Sequence, residues 1–454
     1  MGFKSINPAD GTVLKAFEAW NAAQLEDALD GVAMTTPGWA ATALAERCRL
    51  MGTAAQVLRN NLEKLARMIT LEMGKLIKEA RGEIEKCAWA CEYYAEHGPR
   101  FIADEFIETD ATRSLVAYQP LGTVLAVMPW NFPFWQVFRF AAPALVGGNT
   151  GVLKHAANVP QCALAIEQVF REAGFPPGVF RTLLIRSDQV QGVIEDPRVH
   201  AVTITGSEGA GRKVAAAAGS SLKKSVLELG GSDAFIVLED ADLDEAVKHA
   251  VMSRFLNTGQ SCIAAKRFIV VEAAADAFLT RFKQAVEALH TGDPMEEATT
   301  LAPMARHDLR DELHHQVAAS IGEGAVPVTG CEPVPGPGAF YRPSILDGVK
   351  AGMTAYQEEM FGPVAAMLRA KDEHDAVRLA NDNRYGLGAS VWTRDAARGE
   401  AVARQLQAGA CFVNGIVKSD PRLPFGGVKA SGYGRELSHH GIREFLNAKT
   451  VWVK

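Results

Sequence analysis

Cys262 closes a polar, glycine-containing run, Asn257-Thr258-Gly259-Gln260-Ser261-Cys262, and does not lie on an apolar periodic face. A thiolate in such a turn is a nucleophile. A packed, protonated thiol is the commoner use of cysteine, so the turn alone leaves both readings open. Glu228 ends the predicted strand Ser225-Val226-Leu227 and precedes Leu229-Gly230-Gly231. A carboxylate there can act as a general base or stand as a solvated charge at a turn. Asn131 is the polar side chain of an apolar, proline-bounded loop, Pro129-Trp130-Asn131-Phe132-Pro133. Its amide can donate to an oxyanion or cap the turn. Ile204-Thr205-Gly206-Ser207-Glu208-Gly209-Ala210-Gly211 follows a predicted strand and opens a helix from Arg212 to Ala218. Glycine and a helix start suit a pyrophosphate, but the spacing is not G-x-G-x-x-G, so a turn that binds nothing is also compatible.

Positioning these residues requires regular elements around them. Apolar residues from about Ala40 to His97 recur at spacings of three and four, which predicts helix, with Cys87 and Cys91 on one core face. After Gly122 the texture changes to short β-branched runs, Thr123–Val127, Thr150–Leu153 and Ala201–Thr205, alternating with helices such as Gln161–Ala173. Such alternation predicts a parallel sheet covered on both faces. It resumes with a strand at Ala234–Leu238, a helix from about Asp242 to Asn257, a strand at Lys266–Val271 and a helix at Ala275–His290. Two α/β lobes are thus expected to meet near Glu228–Ser232, and the Gly- and Pro-rich stretch 322–343 reads as surface loop.

Composition narrows the partners. At roughly 150 residues per domain, 454 residues suggest about three domains. Lys plus Arg count 47 against 53 for Asp plus Glu, a net −6, so no basic excess points to nucleic acid or anionic lipid. No apolar run is long enough to span a membrane, and the N-terminus lacks the apolar core of a signal peptide. Seven scattered cysteines without a C-x-x-C pair predict reduced thiols, a cytoplasmic setting and no metal site.

Taken together, the motifs form a recognisable series. Pro129-Trp130-Asn131-Phe132-Pro133, Leu153-Lys154, Thr205-Gly206-Ser207, Glu228-Leu229-Gly230-Gly231, the run ending at Cys262, Glu358-Glu359-Met360-Phe361-Gly362-Pro363 and Pro424-Phe425-Gly426-Gly427-Val428-Lys429 occur in the order of the aldehyde dehydrogenase superfamily. The chain resembles that superfamily from Asn7-Pro8 almost to the C-terminus. Within it, Trp135-Gln136-Val137, Leu153-Lys154-His155-Ala156, the stretch Arg310–Gln316 and Gly434–His439 are similar to bacterial succinate semialdehyde dehydrogenases of the short type.

The resemblance implies an α/β protein with a Rossmann-like cofactor domain (1–104 and 121–228), a catalytic domain (229–435) and a small β oligomerisation element (105–120 and 436–454) that makes a homodimer or homotetramer. It implies that Cys262 attacks an aldehyde, that Asn131 and the Cys262 N–H hold the oxyanion, and that hydride passes to nicotinamide to leave a thioester. Glu228 would then activate water, which favours hydrolysis over transfer to coenzyme A. Lys154, Gly206, Ser207, Glu359 and Phe361, with Trp130 and Leu229, would bind the cofactor. Many NAD-selective members carry Glu where this chain has Ala157, so NAD and NADP are both expected, with Lys154 and His155 the available cations for a 2′-phosphate. Arg139 and Ser419 fall where the distal carboxylate of succinate semialdehyde is bound, beside an apolar wall from Trp135. A second arginine found in one branch is Leu256 here; Arg254 and Arg422 are candidate substitutes. Ile263-Ala264-Ala265 leave no neighbouring cysteine for a disulfide switch. The alternatives are another semialdehyde or a neutral aliphatic or aromatic aldehyde, a coenzyme A-acylating enzyme, and a non-catalytic binding protein on the same fold.

Overall fold

Helical spacing between Ala40 and His97 predicts one long helical stretch, but local backbone breaks divide it. The computed structural model describes residues 2–454. After the antiparallel hairpin β1 (Phe3–Ile6) and β2 (Val13–Phe17) come α1 (Ala22–Ala41), α2 (Leu44–Asn60), α3 (Leu62–Met73) and α4 (Ile77–Phe101). Asn21 starts α1 with a reciprocal capping box to Gln24. Thr42 turns extended after α1, and Gly74 stops α3 in a left-handed conformation that glycine adopts without steric cost. Cys87 and Cys91 share the buried face of α4.

The first large sheet contains β5 (Thr123–Met128), β6 (Thr150–His155), β7 (Phe180–Thr182), β8 (Ala201–Thr205) and β9 (Lys224–Glu228), all parallel. Its order is β9-β8-β5-β6-β7, extended at the β9 edge by antiparallel β17 (Gly432–Tyr433). Residues just before 435 therefore belong to this sheet, not to the second. Helices α5 (Trp135–Val146), α6 (Pro160–Glu172), α7 (Val190–Glu195) and α8 (Glu208–Ser220) cover its faces, which explains why its strands read as continuous apolar runs. The chain runs outward from β5 through β6 to β7, then returns to β8 on the other side of β5. At such a reversal the loops leaving neighbouring strands diverge and open a crevice at the carboxyl ends. The loop with Asn131 leaves β5 there, and Gly206-Ser207 leaves β8.

The second sheet has the order β12 (Val326–Thr329), β13 (Ser344–Asp347), β14 (Val364–Ala370), β11 (Ala265–Val271), β10 (Asp233–Val237), β15 (Gly388–Trp392) and β16 (Ala410–Val413), with only β12 antiparallel. Strand β12 lies inside the stretch expected to be all loop. Its alternation is short and its edge position needs no apolar pattern on both faces. Helices α9 (Leu243–Phe255), α10 (Glu272–Glu287) and α11 (His307–Gly322) belong to this half, and the chain crosses from the first sheet to the second at Leu229–Ser232. A third, antiparallel sheet joins β3 (Glu105–Phe106), β4 (Arg113–Pro120) and β18 (Leu446–Val453) in the order β18-β4-β3. No helix among the described residues is long and apolar enough to cross a membrane.

A buried ion pair ties the N-terminal helices to the crevice. Lys75, just before α4, pairs with Glu83 on it, and neither side chain reaches solvent. Glu83 Oε1 also accepts the backbone N–H of Phe134 at 2.8 Å and of Trp135 at 3.0 Å, two donors at the start of α5 that have no partner within that helix. The Lys75 ammonium stands 3.6 Å from the Phe132 ring centroid. Removing one member strands the other charge in a dry interior, at a cost of about 3–5 kcal/mol. Glu83→Ala is expected to lower the urea midpoint by that equivalent. Arg49→Ala, which removes an exposed pair with Glu46 on α2, is expected to leave the midpoint where it is.

Candidate active site

The turn that carries Cys262 is held in a conformation its residues do not prefer. After α9, Asn257, Thr258 and Gly259 take φ values of 51°, 56° and 72°. For a β-branched threonine the left-handed region is strained, and such strain persists only where surroundings over-determine it. They do so here. Asn257 N donates to the Glu79 carboxylate (3.1 Å), and its Nδ2 donates to Asn131 O (2.8 Å) and Gln260 O (3.0 Å). Thr258 Oγ1 donates to Ala302 O, and Ala305 N to Gln260 Oε1. Gly259 has Gly362 O where a Cβ would stand, so only glycine fits.

Cys262 is half-buried after this turn. Burial pushes its thiol up to about 12, while the nearby cations of Lys266 and Arg139 pull it down. Lys266 is fully buried and donates to Ser261 O (2.7 Å) and Cys262 O (2.6 Å). The same ammonium is 3.2 Å from Glu359 Oε1. Asn131 faces the turn from the β5 side, its Nδ2 donating to Gln260 O at 3.1 Å. An amide nitrogen carries two hydrogens, so one remains for an oxyanion beside the thiol.

Cys262 lies in the wall between two cavities. The larger, about 280 Å³, is lined by Trp130, Asn131, Gly206, Ser207, Leu229, Glu359 and Phe361 among others. Ser207 caps α8, accepting from Ala210 N, so the helix start opens into this space. Trp130 and Phe361 meet edge to face at 5.9 Å. Glu359 accepts from Gly231 N at 3.1 Å, and its other oxygen occupies the space that a Cβ on Gly230 would fill. Lys154 and Ala157 lie outside this wall, at and beyond the end of β6. Lys154 Nζ has only a long contact, 3.4 Å, to Ser187 Oγ, and Ala157 is exposed. These residues fit a dinucleotide: donors for phosphate, an aromatic pair for a planar ring and a free cation near the expected ribose. His155 does not join them. It is buried, bonded to Pro133 O and Ala156 N, and burial lowers it to about 4, so it is neutral at physiological pH and no cation for a 2′-phosphate.

The smaller cavity, about 110 Å³, has Cys262, Trp135, Arg139 and Ser419 in its wall, together with Lys86 and Leu256. Trp135 Nε1 and Lys86 Nζ both donate to Ser419 Oγ, at 3.0 and 2.7 Å. Arg139 is buried and already ion-paired through Nε with Glu436, while its Nη2 donates to Thr205 Oγ1. Neither candidate for a second arginine reaches this space. Arg254 is consumed by the carbonyls of Ala265 and Gly259, and Arg422 pairs with Asp420 at the surface. Glu228 lines neither cavity. Its two carboxylate oxygens are buried without a partner, and burial and the neighbouring Glu436 raise it well above the usual carboxylate range against the pull of Arg139.

Sequence reasoning passed over Glu79, Glu83 and Lys86 on α4, and Lys266 on β11. Glu79 and Glu83 recur at helical spacing beside the apolar residues Ala80 and Ile84, and acidic side chains within an otherwise apolar stripe were the available signal. Lys86 and Lys266 gave none, since a lysine on a helix or at a strand start reads as solvated.

Comparison with known proteins places this arrangement. Residues 1–451 match the aldehyde dehydrogenase family. The chain is 49% identical over 453 residues, the full length of both, to a protein of Synechocystis sp. named as a probable NADP⁺-dependent succinate-semialdehyde dehydrogenase. It is 50% identical over 448 residues, 99% of this chain and 97% of the other, to an NAD(P)⁺ succinate semialdehyde dehydrogenase of Escherichia coli K12. The crystal structure of succinic semialdehyde dehydrogenase from Streptococcus pyogenes with NADP⁺ superimposes with a TM-score of 0.98 at 38% identity, covering 99% of each chain. With a thiol on a strained turn between two cavities and a match along nearly its whole length, the chain belongs to the aldehyde dehydrogenase family.

Proposed function

We propose that this protein oxidises succinate semialdehyde to succinate with NAD or NADP. The observation that carries the reading is the 110 Å³ cavity, which has Cys262 in the same wall as the Ser419 hydroxyl, so that a short aldehyde with a distal carboxylate fits. The names of the Synechocystis and E. coli relatives support it.

Cys262 Sγ adds to the aldehyde carbon, and the negative charge that develops on the carbonyl oxygen is met by Asn131 Nδ2 and the Cys262 N–H. One such donor is typically worth about 10²–10³ in rate. Trp130, Lys154, Gly206, Ser207, Leu229, Glu359 and Phe361 would hold the nicotinamide cofactor, which when bound would supply the hydride acceptor. Glu228 takes a proton from water, and the hydroxide releases the acyl group from Cys262 as a carboxylic acid. Glu228 must turn from its buried position to do so. As a base it works deprotonated; because its carboxyl and the Cys262 thiol are both raised, the active forms accumulate as pH increases. We also propose the cytoplasm as the setting, the domain division at 1–104 with 121–228, 229–435 apart from β17, and 105–120 with 436–454, and a homodimer or homotetramer built through the β18-β4-β3 sheet.

Three measurements test this reading. The kcat/KM for succinate semialdehyde is expected to exceed that for butanal by at least about tenfold, roughly 1.4 kcal/mol of transition-state discrimination; equal values would reject the substrate. Glu228→Gln is expected to lose about 10²–10⁴ in steady-state rate yet keep an initial burst of reduced cofactor, because only release of the acyl group needs the base. Ala157→Glu is expected to raise KM for NADP by about tenfold or more while sparing NAD, since it puts a carboxylate against a 2′-phosphate.

A further inference from the structure

The charge of Arg139 is not free to attract an anion. Its guanidinium is paired with Glu436, bonded to Thr205 Oγ1 and stacked 4.6 Å from the Phe425 ring centroid. Leu256, on the same cavity wall, adds only apolar surface. A carboxylate entering a partly desolvated cavity needs a compensating cation there. Lys86 meets this need. It projects from α4 into the cavity wall, is half-buried, and has no carboxylate partner among the described residues. Its ammonium sits 4.2 Å from the Trp135 ring centroid, which fixes its direction.

The hydrogen bonds around Ser419 point the same way. A hydroxyl has two acceptor positions and one donor hydrogen. Trp135 Nε1–H and Lys86 Nζ–H take both acceptor positions of the buried Ser419 Oγ. Its own hydrogen is thereby left to donate, and among the described residues it has no acceptor. Lys86 keeps two further N–H donors of its own. One wall thus presents an ammonium and an outward hydroxyl hydrogen, a pair suited to the two oxygens of one carboxylate.

We propose that Lys86 is a specificity-determining residue: its ammonium and the Ser419 hydroxyl hydrogen that it helps to orient bind the distal carboxylate of the aldehyde. This rests on the reading that the substrate carries such a carboxylate. The groups facing Lys86 are Glu83 and Cys87 on α4, Arg139 on α5, and Asp420 from the loop after β16, where Asp420 is itself held by Arg422. Exposed Lys418 lies at the mouth. Burial and Arg139 lower Lys86 to about 8. The ammonium is therefore present below that pH and lost as pH rises through it, and with it the preference for an anionic substrate.

The test compares kcat/KM for succinate semialdehyde and for butanal in the unaltered enzyme, K86M and K86R. Taking the ratio of the two substrates cancels the titrations of Cys262 and Glu228, which both aldehydes share. K86M is expected to lower the ratio by about 10- to 100-fold, the worth of a charged hydrogen bond. K86R is expected to restore it to within about fivefold, since it returns the cation. In the unaltered enzyme the ratio should fall above about pH 8, and in K86R it should stay flat there. If the unaltered enzyme has no preference for succinate semialdehyde, the functional reading itself fails. If the preference exists but K86M depresses both aldehydes alike, or K86R is as poor as K86M, or the ratio ignores pH, Lys86 is only a structural neighbour of Ser419 and the proposal is overturned.

Discussion

A single carboxylate, that of Glu83, fixes the geometry on which the site depends. It takes two backbone donors at the start of α5 and the ammonium of Lys75. Helix starts carry unsatisfied N–H groups and partial positive charge, so a buried anion there is doubly favoured. The loop with Asn131 ends where this anchor begins, and Trp135 and Arg139 follow on the anchored helix. One turn earlier on α4, Glu79 holds Asn257 of the nucleophile turn; one turn later, Lys86 holds Ser419. One face of α4 therefore addresses three separate walls of the site. Burial raises Glu79 to about 7 against the pull of Lys75 and Lys78, which marks how little water reaches this seam.

The nucleophile turn and the cofactor cavity share one cation. Lys266 bonds the carbonyls of Ser261 and Cys262 and also faces Glu359. Three polar partners offset the desolvation of this side chain, and its proximity opposes the burial that raises the Cys262 thiol. Any group that bonds Glu359 changes what Lys266 feels, and Lys266 in turn touches the turn that carries the thiol. The strained left-handed residues before Cys262 are compatible with this arrangement because almost every polar group of that turn is bonded.

Around Glu228 the electrostatics run the other way. Glu228 is buried beside Glu436, with Arg139 as the nearby cation, and burial together with Glu436 favours the neutral acid of Glu228. A carboxyl raised in this way is a stronger base than a solvated one. The same pairing engages the guanidinium of Arg139, so in the proposed reading base tuning and anion recognition fall to different cations.

The sequence by itself determined the parallel α/β architecture, through continuous apolar strands alternating with helices, and it picked out Cys262, Asn131, Gly206-Ser207 and Glu359 through local turn chemistry and a resemblance over the whole chain. Those signals are local: a strained turn needs Gly, and a phosphate cradle needs a helix start. It did not resolve the breaks between α1, α2, α3 and α4, because Thr42 and Asn61 carry no breaker signature, although Gly74 does. It offered His155, Arg254 and Arg422 as cations, and tertiary structure alone removed them, by burying the first, committing the second to carbonyls and turning the third to the surface. It gave no hint of Lys86 or Lys266, since the first meets Ser419 from a distant segment and the second is buried against Glu359 only in the folded chain. Only folding brings Lys86 to Ser419, 333 residues apart in the chain, and Arg139 to Glu436. Long-range electrostatic pairing leaves no periodicity in a sequence, and for that reason the recognition end of the site was decided by the tertiary structure.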